Sequence, residues 1–209
     1  MLHKRFFIVL ALIAGVGILS ACGIQSVNAS APAEAAARGG VSAVQVAPAY
    51  TGKAEPTASN SEGPYYKSGA PERAVLVEPE MSGTRLLLTG QVLTTDCRPV
   101  AGAVLDFWQA DDRGQYDNTG YTLRGKQFAD EMGRYRLETI VPGRYPGRTV
   151  HIHVKVSAPG GPVLTTQIYF AGEPGNESDG LILPSLIVPL ADAAGGGKAA
   201  TFDFVLSPK

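Results

Sequence analysis

The stretch Gly143-Arg-Tyr-Pro-Gly-Arg-Thr-Val-His-Ile-His153 places one tyrosine, two histidines and two arginines within eleven consecutive residues. From Thr149 to Ser157, polar and apolar residues alternate and Val and Ile are frequent, which predicts a half-buried β-strand. Residues two apart on a strand point to the same face, so His151 and His153 would stand side by side with Cα atoms roughly 6.5 to 7 Å apart. We therefore predict that both imidazoles reach one metal ion.

The histidine count restricts the ligand set of that site. The chain has three histidines, and His3 lies in a leader that we predict is removed. Since two histidines cannot hold a catalytic metal alone, the remaining ligands must be carboxylates or phenolates. Tyr145 is one candidate, because the following Pro146 holds its backbone extended. The alternative is a histidine pair that is exposed or packed and binds nothing.

The N-terminus has the layout of a bacterial signal peptide. A short basic start is followed by an apolar run from Phe6 to Leu19, which is too short for a membrane span of about 20 residues. Leu19-Ser-Ala-Cys22 resembles a lipoprotein signal, in which the chain is cut before the cysteine and the cysteine carries the lipid. We predict removal of residues 1–21, lipidation of Cys22 and an exported, membrane-anchored protein on the periplasmic or cell-surface side. An ordinary secretory signal, leaving Cys22 as a thiol, is the alternative.

Composition divides the rest of the chain into two parts. Residues 22–58 are rich in Ala, Ser and Pro and predict a flexible tether, although a strand around Val41–Val46 is an alternative. Residues 59–209 are long enough for one domain with a sizeable core. If Cys22 is acylated, Cys97 is the only remaining thiol, and we expect it to be a packed residue without a disulfide partner.

The charge of the chain excludes some partners. Without the leader residues Lys4 and Arg5, 16 basic residues stand against 19 acidic ones, and no basic block is present. This argues against nucleic-acid binding. The sequence also contains no P-loop, nucleophile elbow or paired-cysteine zinc spacing.

From residue 85 onward, short stretches with strand character are separated by Gly, Pro, Asp and Asn. No segment has the period of an amphipathic helix. The pattern predicts an all-β domain folded as an antiparallel β-sandwich. The candidate strands are Arg85–Thr95, Ala103–Gln109, Arg134–Val141, Val150–Ser157, Val163–Phe170, Ile182–Leu190 and Ala200–Leu206.

Several motifs in the same order resemble the intradiol ring-cleavage dioxygenases, the family of catechol 1,2- and protocatechuate 3,4-dioxygenases. The resemblance runs from about Glu62 to Phe170 and is carried by motifs that are specific in combination. They are Glu62-Gly-Pro-Tyr-Tyr66, Gly102-Ala-Val-Leu-Asp-Phe-Trp-Gln-Ala-Asp111, Gly114-Gln-Tyr116, Thr139-Ile-Val-Pro-Gly-Arg-Tyr-Pro146, Arg148-Thr-Val-His-Ile-His153 and Leu164-Thr-Thr-Gln-Ile-Tyr-Phe170.

The resemblance implies a mononuclear Fe(III) held by Tyr116, Tyr145, His151 and His153. Two phenolates with a hydroxide can neutralise a ferric ion, and neutral imidazoles complete the ligand set. The implied reaction inserts both atoms of O2 into a catechol-type substrate. The ring is cleaved between its two hydroxyl-bearing carbons, and the product is of the cis,cis-muconate type.

The resemblance also implies roles around the metal. Arg148 would lie near the substrate, where its fixed charge suits developing negative charge, and Gln167 would lie beside the same site. Tyr145 would leave the metal when substrate binds and take up a proton. Tyr65 and Trp108 would line the pocket with flat apolar walls. For each of these residues a purely structural role is the alternative.

Two other readings remain open from the sequence. One is a catalytically inactive, lipid-anchored β-sandwich that works as a binding module. The other is a zinc site in which Asp111 or Asp112 joins the two histidines. The chain also lacks the helical N-terminal region that catechol 1,2-dioxygenases carry, which predicts a more open pocket.

Overall fold

The computed structural model describes residues 52–207, which form two packed β-sheets, as predicted. No α-helix is found in that part of the chain, and it contains no helix long and apolar enough to span a membrane. The strands are β1 (Arg85–Thr94), β2 (Val104–Trp108), β3 (Arg124–Phe128), β4 (Arg134–Ile140), β5 (His151–Ser157), β6 (Leu164–Phe170), β7 (Ile187–Val188), β8 (Ala191–Asp192), β9 (Lys198–Thr201) and β10 (Phe204–Leu206).

The long strand β1 organises the first sheet. It pairs with β4 along one edge and with β9 and β10 along the other, and β8 follows β9. The second sheet has the order β3-β2-β5-β6-β7. Most pairings are antiparallel, but β1 runs parallel to β9 and β10, and β6 runs parallel to β7.

The core lies between the two sheets and is made by alternate residues of each strand. In β5 these are Ile152, Val154 and Val156, which are all fully buried. The intervening residues, His151 and His153, face away from this core. Because they are also buried, at 4% and 2% exposure, the prediction of a half-buried strand is wrong.

A segment that precedes β1 covers this second face of β5. We call residues 58–70 the strap. Ser61 accepts a hydrogen bond from Gln167 at 2.6 Å, and Asn60 donates its backbone N–H to Thr165 at 2.9 Å. The strap is also joined to β5 by the ion pair between Glu62 and Lys155. The histidines are therefore enclosed between a sheet and a loop.

Two residues that precede the strap are hydrogen-bonded to the domain. Ala54 donates its N–H to Thr95 and Thr57 donates to Val205, each at 2.9 Å. Residues just before the predicted boundary at 58 thus also contact the domain, and the boundary itself stays a prediction. The predicted leader, the lipidation of Cys22 and residues 22–51 of the predicted tether lie outside the described residues.

Two predictions about local structure need correction. The stretch Ile182–Leu190 is not one strand, since a 3-10 helix at Pro184–Leu186 precedes the two-residue β7. Cys97 is fully buried, as expected of a packed residue. It is however disulfide-bonded rather than a lone thiol, so the expectation that it has no disulfide is wrong.

Candidate metal and substrate site

Two histidine nitrogens approach each other on the strap side of β5. The Nε2 atoms of His151 and His153 are 3.1 Å apart, and the rings are nearly perpendicular, at 77°. The Nδ1 atom of His151 lies 2.6 Å from the backbone oxygen of Thr149. Such a contact holds the proton on Nδ1 and leaves the Nε2 lone pair available to a metal.

Burial keeps both imidazoles in the form that binds metals. It lowers the pKa of His151 to about 4, and it lowers the pKa of His153 well below its usual value. The positive charge of Arg148 acts in the same direction on both rings. At neutral pH both histidines are therefore neutral, as metal ligation requires.

Tyr116 brings a third donor to the same point. It follows a turn in which the Asp111 carboxylate accepts the backbone N–H groups of Arg113 and Gln115, at 2.9 and 2.8 Å. The Tyr116 hydroxyl lies 3.3 Å from His151 Nε2. Burial raises the pKa of this phenol, and the nearby Arg148 opposes that rise. A cation at the site would favour the phenolate.

Tyr145 stands beside this cluster on a neighbouring loop. Its ring meets that of Tyr116 edge-on, with centroids 6.1 Å apart. Its hydroxyl accepts a hydrogen bond from the Tyr65 hydroxyl at 2.9 Å. The structure therefore brings Tyr145 next to the other candidate ligands, with its oxygen engaged by Tyr65.

The two tyrosine loops are held together at Gly114. A Cβ atom at this position would lie 2.1 Å from the backbone oxygen of Arg144, so only glycine permits the approach. Gly114 also has a φ of 79°, which favours glycine. This contact sets the separation of Tyr116 from Tyr145.

The donor set fits a ferric ion. Phenol oxygens are hard donors and two neutral imidazoles complete a set of four. Within residues 52–207, no group of three His, Cys, Asp or Glu side chains could hold a metal. The reading in which Asp111 or Asp112 joins the histidines around zinc is thus not supported, since the Asp111 carboxylate is used by its own turn.

Arg148 lies in a buried hydrogen-bond network next to the histidines. Its Nε donates to both carboxylate oxygens of Asp179, at 2.9 and 3.1 Å. Its Nη2 donates to Gln167 Oε1 at 2.7 Å and to the Tyr169 hydroxyl at 3.0 Å. Arg148 therefore forms an ion pair with Asp179, as a structural role would require, and the same pair fixes the guanidinium beside the site.

Asp179 is a site residue that the sequence did not reveal. It is 5% exposed, and it accepts the backbone N–H of Thr149 at 2.9 Å as well as the Arg148 bonds. Thr149 is the residue whose carbonyl faces His151 Nδ1. The Ser178-Asp179-Gly180 sequence indicates only a turn, so nothing local marks this carboxylate as part of the site.

The two aromatic residues expected in the pocket wall lie at different depths. Tyr65 stacks on Tyr116, with centroids 4.5 Å apart and an angle of 14°. Together with Tyr145 these rings line an open cleft of about 210 Å³. Trp108 is 1% exposed and stacks flat on His153 at 4.7 Å, so it supports the imidazole from behind.

Known proteins are similar to this chain in sequence and fold. Residues 61–208 match the family model described as Dioxygenase. The chain is 35% identical over 140 residues to the catechol 1,2-dioxygenase of Pseudomonas sp. (strain EST1001), covering 54% of this chain and 46% of that protein. It is 32% identical over 172 residues to the chlorocatechol 1,2-dioxygenase of Pseudomonas sp. (strain P51), covering 69% and 68%.

A solved structure is similar over the whole of its own length. It is the dioxygenase domain of a dioxygenase carbohydrate-binding protein fusion from Streptomyces sp. SirexAA-E, with 51% identity and a TM-score of 0.72. The match covers 74% of this chain and 100% of that domain. The chain spans about half the length of the catechol 1,2-dioxygenase of strain EST1001. On its sequence, its fold and these relatives, the chain belongs to the intradiol dioxygenase family.

Proposed function

We propose that the protein is an Fe(III)-dependent intradiol dioxygenase that uses O2 to cleave a catechol-type ring between its hydroxyl-bearing carbons. The expected product is of the cis,cis-muconate type. The observation that carries the proposal is the approach of the Tyr116 hydroxyl, His151 Nε2 and His153 Nε2 to one another. Neutral buried imidazoles beside a phenol, with no carboxylate among them, are a donor set suited to ferric iron.

The iron would be held by Tyr116, Tyr145, His151 and His153. When bound, it supplies Lewis acidity and the redox chemistry by which a chelated catechol reacts with O2. The protein itself binds the ring, moves its protons and balances its charge. The open cleft beside Tyr65 and Tyr145 is the route by which a flat aromatic substrate would enter.

Tyr145 would take a proton from the substrate. In this proposal its phenolate oxygen accepts the proton of one catechol hydroxyl. The Tyr65 hydroxyl donates to that oxygen at 2.9 Å, so it would orient Tyr145 before and after the transfer. Stacked on Tyr116, the Tyr65 ring also offers one face of the slot that holds the substrate ring.

Arg148 would stabilise negative charge that develops on the substrate. Its side chain is 15% exposed, so water screens its charge only partly. Asp179 holds Nε while Gln167 and Tyr169 hold Nη2, which makes the cation preorganised. Preorganised charge is effective because it requires no rearrangement during the reaction.

Asp179→Asn tests whether this network positions Arg148. The amide keeps the size of the side chain but removes one charged acceptor and the ion pair at 2.9 Å. We expect kcat to fall by about 10- to 100-fold, the usual cost of losing an outer-shell partner of an active-site group. Steady-state kinetics with catechol and the iron content measure the effect. A Ser178→Ala variant, from the same turn, is the control.

A purely structural role for Asp179 would give a different pattern. Thermal stability would fall while kcat of the folded fraction stayed at the wild-type value. Arg148→Lys alone and combined with Asp179→Asn completes a double-mutant cycle. If the two substitutions act additively on kcat, Asp179 does not act through Arg148.

The visible spectrum tests the proposed function directly. The domain is purified, loaded with iron in air, and its spectrum is recorded before and after catechol is added. A phenolate bound to Fe(III) gives a coloured charge-transfer band, and we expect this band to shift with catechol and to weaken in Tyr116→Phe. A protein that stays colourless after iron reconstitution, and consumes no O2 with catechols, would instead support the inactive binding module.

We further propose that the protein is exported and anchored through lipid on Cys22. The leader sequence supports this. The disulfide of Cys97 counts against this anchor, because the chain has two cysteines and one sulfur cannot be both acylated and disulfide-bonded. The mass of the mature N-terminal peptide is therefore decisive. A lipid-modified peptide beginning at Cys22 supports anchoring, whereas a peptide linked to Cys97 that is lost on reduction excludes it.

A further inference from the structure

A second cleft adjoins the one beside Tyr145, and its walls are cationic. It has a volume of about 460 Å³ and is lined by Pro64, Tyr65, Tyr66, Lys67, Asn118 and Arg124. Tyr65 and Asn118 line both clefts. A ring held next to Tyr145 could therefore extend a substituent past Tyr65 into the second cleft.

Arg124 is a buried cation that makes no salt bridge with a carboxylate of residues 52–207. It is 1% exposed and lies in register with Trp108, which in turn pairs with His153. Its Nε and Nη2 both donate to the backbone oxygen of Asp117, at 3.1 and 3.0 Å. Among the residues described, its Nη1 finds no hydrogen-bond partner, and neither does Trp108 Nε1.

Lys67 is the second cation of this cleft. Its ammonium donates to the backbone oxygens of Thr119 and Gly120, at 2.6 and 3.2 Å. It also lies 4.4 Å from the centre of the Tyr121 ring. In residues 52–207, every ion pair involves other residues, so neither cation of the cleft makes a salt bridge.

The nearest acidic groups are occupied elsewhere. The Asp117 carboxylate accepts the backbone N–H groups of Thr119, Gly120 and Thr122, which hold its pKa well below the usual range. Asp106 accepts the Tyr66 hydroxyl at 3.1 Å and stands opposite two other lysines of the sheet. Both carboxylates act on Arg124 through space, but neither lines the cleft, so the side chains that face a ligand there include two cations and no anion.

We propose that Lys67 and Arg124 form a subsite for a carboxylate carried on a side arm of the catechol ring. This rests on the proposed dioxygenase function and extends it, because it names catechols with an anionic substituent as preferred substrates. Lys67 would meet the carboxylate at the mouth of the cleft. Arg124 would act from the cleft floor, where low exposure strengthens its charge. The aromatic walls from Tyr65 and Tyr66 would contact the arm.

A matched pair of substrates tests the subsite. We compare 3-(3,4-dihydroxyphenyl)propionate with its primary amide, which has the same size and no charge. Since a tenfold ratio corresponds to about 1.4 kcal/mol, within reach of one partly desolvated charge pair, we expect kcat/KM to favour the acid by about tenfold. Lys67→Gln should remove most of this preference by raising KM for the acid. It should leave kcat/KM for the amide within about twofold of the wild-type value.

The controls separate charge from structure. Lys67→Arg keeps the charge and should retain the preference for the acid. Lys126→Gln removes a lysine of the same sheet that does not line the cleft. It should change kcat/KM for neither the acid nor the amide. Raising the salt concentration should lower the preference in the wild-type protein, because salt screens an open cleft.

The outcomes distinguish this inference from the function on which it rests. The subsite would be contradicted by equal kcat/KM for acid and amide in the wild-type protein, or by an equal loss for both in Lys67→Gln. Neither result would contradict the dioxygenase function. The two cations would then serve only to hold the loop at residues 117–122. If the iron-loaded protein cleaves neither compound nor catechol itself, the proposed function fails and the subsite fails with it.

Discussion

His153→Ala should leave the protein unable to retain iron and without measurable ring cleavage. His153 is 2% exposed, and its Nε2 lies 3.1 Å from that of His151. Loss of an outer-shell partner alone costs about 10- to 100-fold in metal affinity or activity, so we expect loss of a direct ligand to cost at least about 1,000-fold. Iron content after dialysis and oxygen uptake with catechol measure the two losses separately.

The control for this substitution lies on the same face of the same strand. Lys155→Ala removes a side chain two residues along β5, which pairs with Glu62 rather than with His151 or His153. We expect it to keep its iron and its activity. Thermal unfolding of the iron-free proteins shows whether His153→Ala is folded. A folded His153→Ala protein with full iron content and normal kcat would contradict the assigned ligand.

Gly114→Ala should cause the largest loss of stability among single substitutions near the site. The new Cβ would lie 2.1 Å from the Arg144 oxygen, and the residue has a φ of 79°. Left-handed backbone costs about 1–2 kcal/mol for a residue other than glycine. The collision adds to this, so we expect the free energy of unfolding to fall by about 3–5 kcal/mol in total. Urea denaturation measures it.

Gly172→Ala isolates the backbone contribution. Gly172 has a φ of 80° and no atom within 4 Å of the Cβ position, so this variant introduces the strain without the collision. We expect a loss of about 1–2 kcal/mol. The difference between the two variants then reports how tightly the Tyr116 and Tyr145 loops are held. Similar losses in both would show that the contact at Gly114 relaxes easily.

The parts of the site predicted from the sequence are those that depend on short-range periodicity. Alternation along a strand is enough to place His151 and His153 on one face, and the structure shows this arrangement. Order along the chain is enough to align Tyr116 and Tyr145 with known motifs. Both features can be predicted without knowing which segments meet in three dimensions.

The missed elements depend on contacts between distant segments. β3, Arg124-Gly-Lys-Gln-Phe128, has little strand character, and its pairing with β2 defines it. The burial of His153 comes in part from the strap, where Gly63 lies against its imidazole, and sequence periodicity does not report this contact. Asp179 joins the site through bonds to residues about 30 positions away, and its own surroundings indicate only a turn.

The two sheets were predicted, but their pairing was more complex than a regular antiparallel sandwich. β9 and β10 are separate short strands that both run parallel to β1, whereas the sequence suggested one strand at Ala200–Leu206. Pro184 begins a 3-10 helix in place of the first part of the predicted strand at 182–190. Proline has no N–H for a sheet ladder, and this favours the change.

The position of the strap has a mechanical consequence. Any pull transmitted along the chain before residue 52 reaches the strap, which covers His153. The hydrogen bonds at Ala54 and Thr57 stand between that load and Ser61, and they would share it with strands of the other sheet. If the chain is held at its N-terminus, we therefore expect these hydrogen bonds to carry part of the load before the strap is displaced from the active centre.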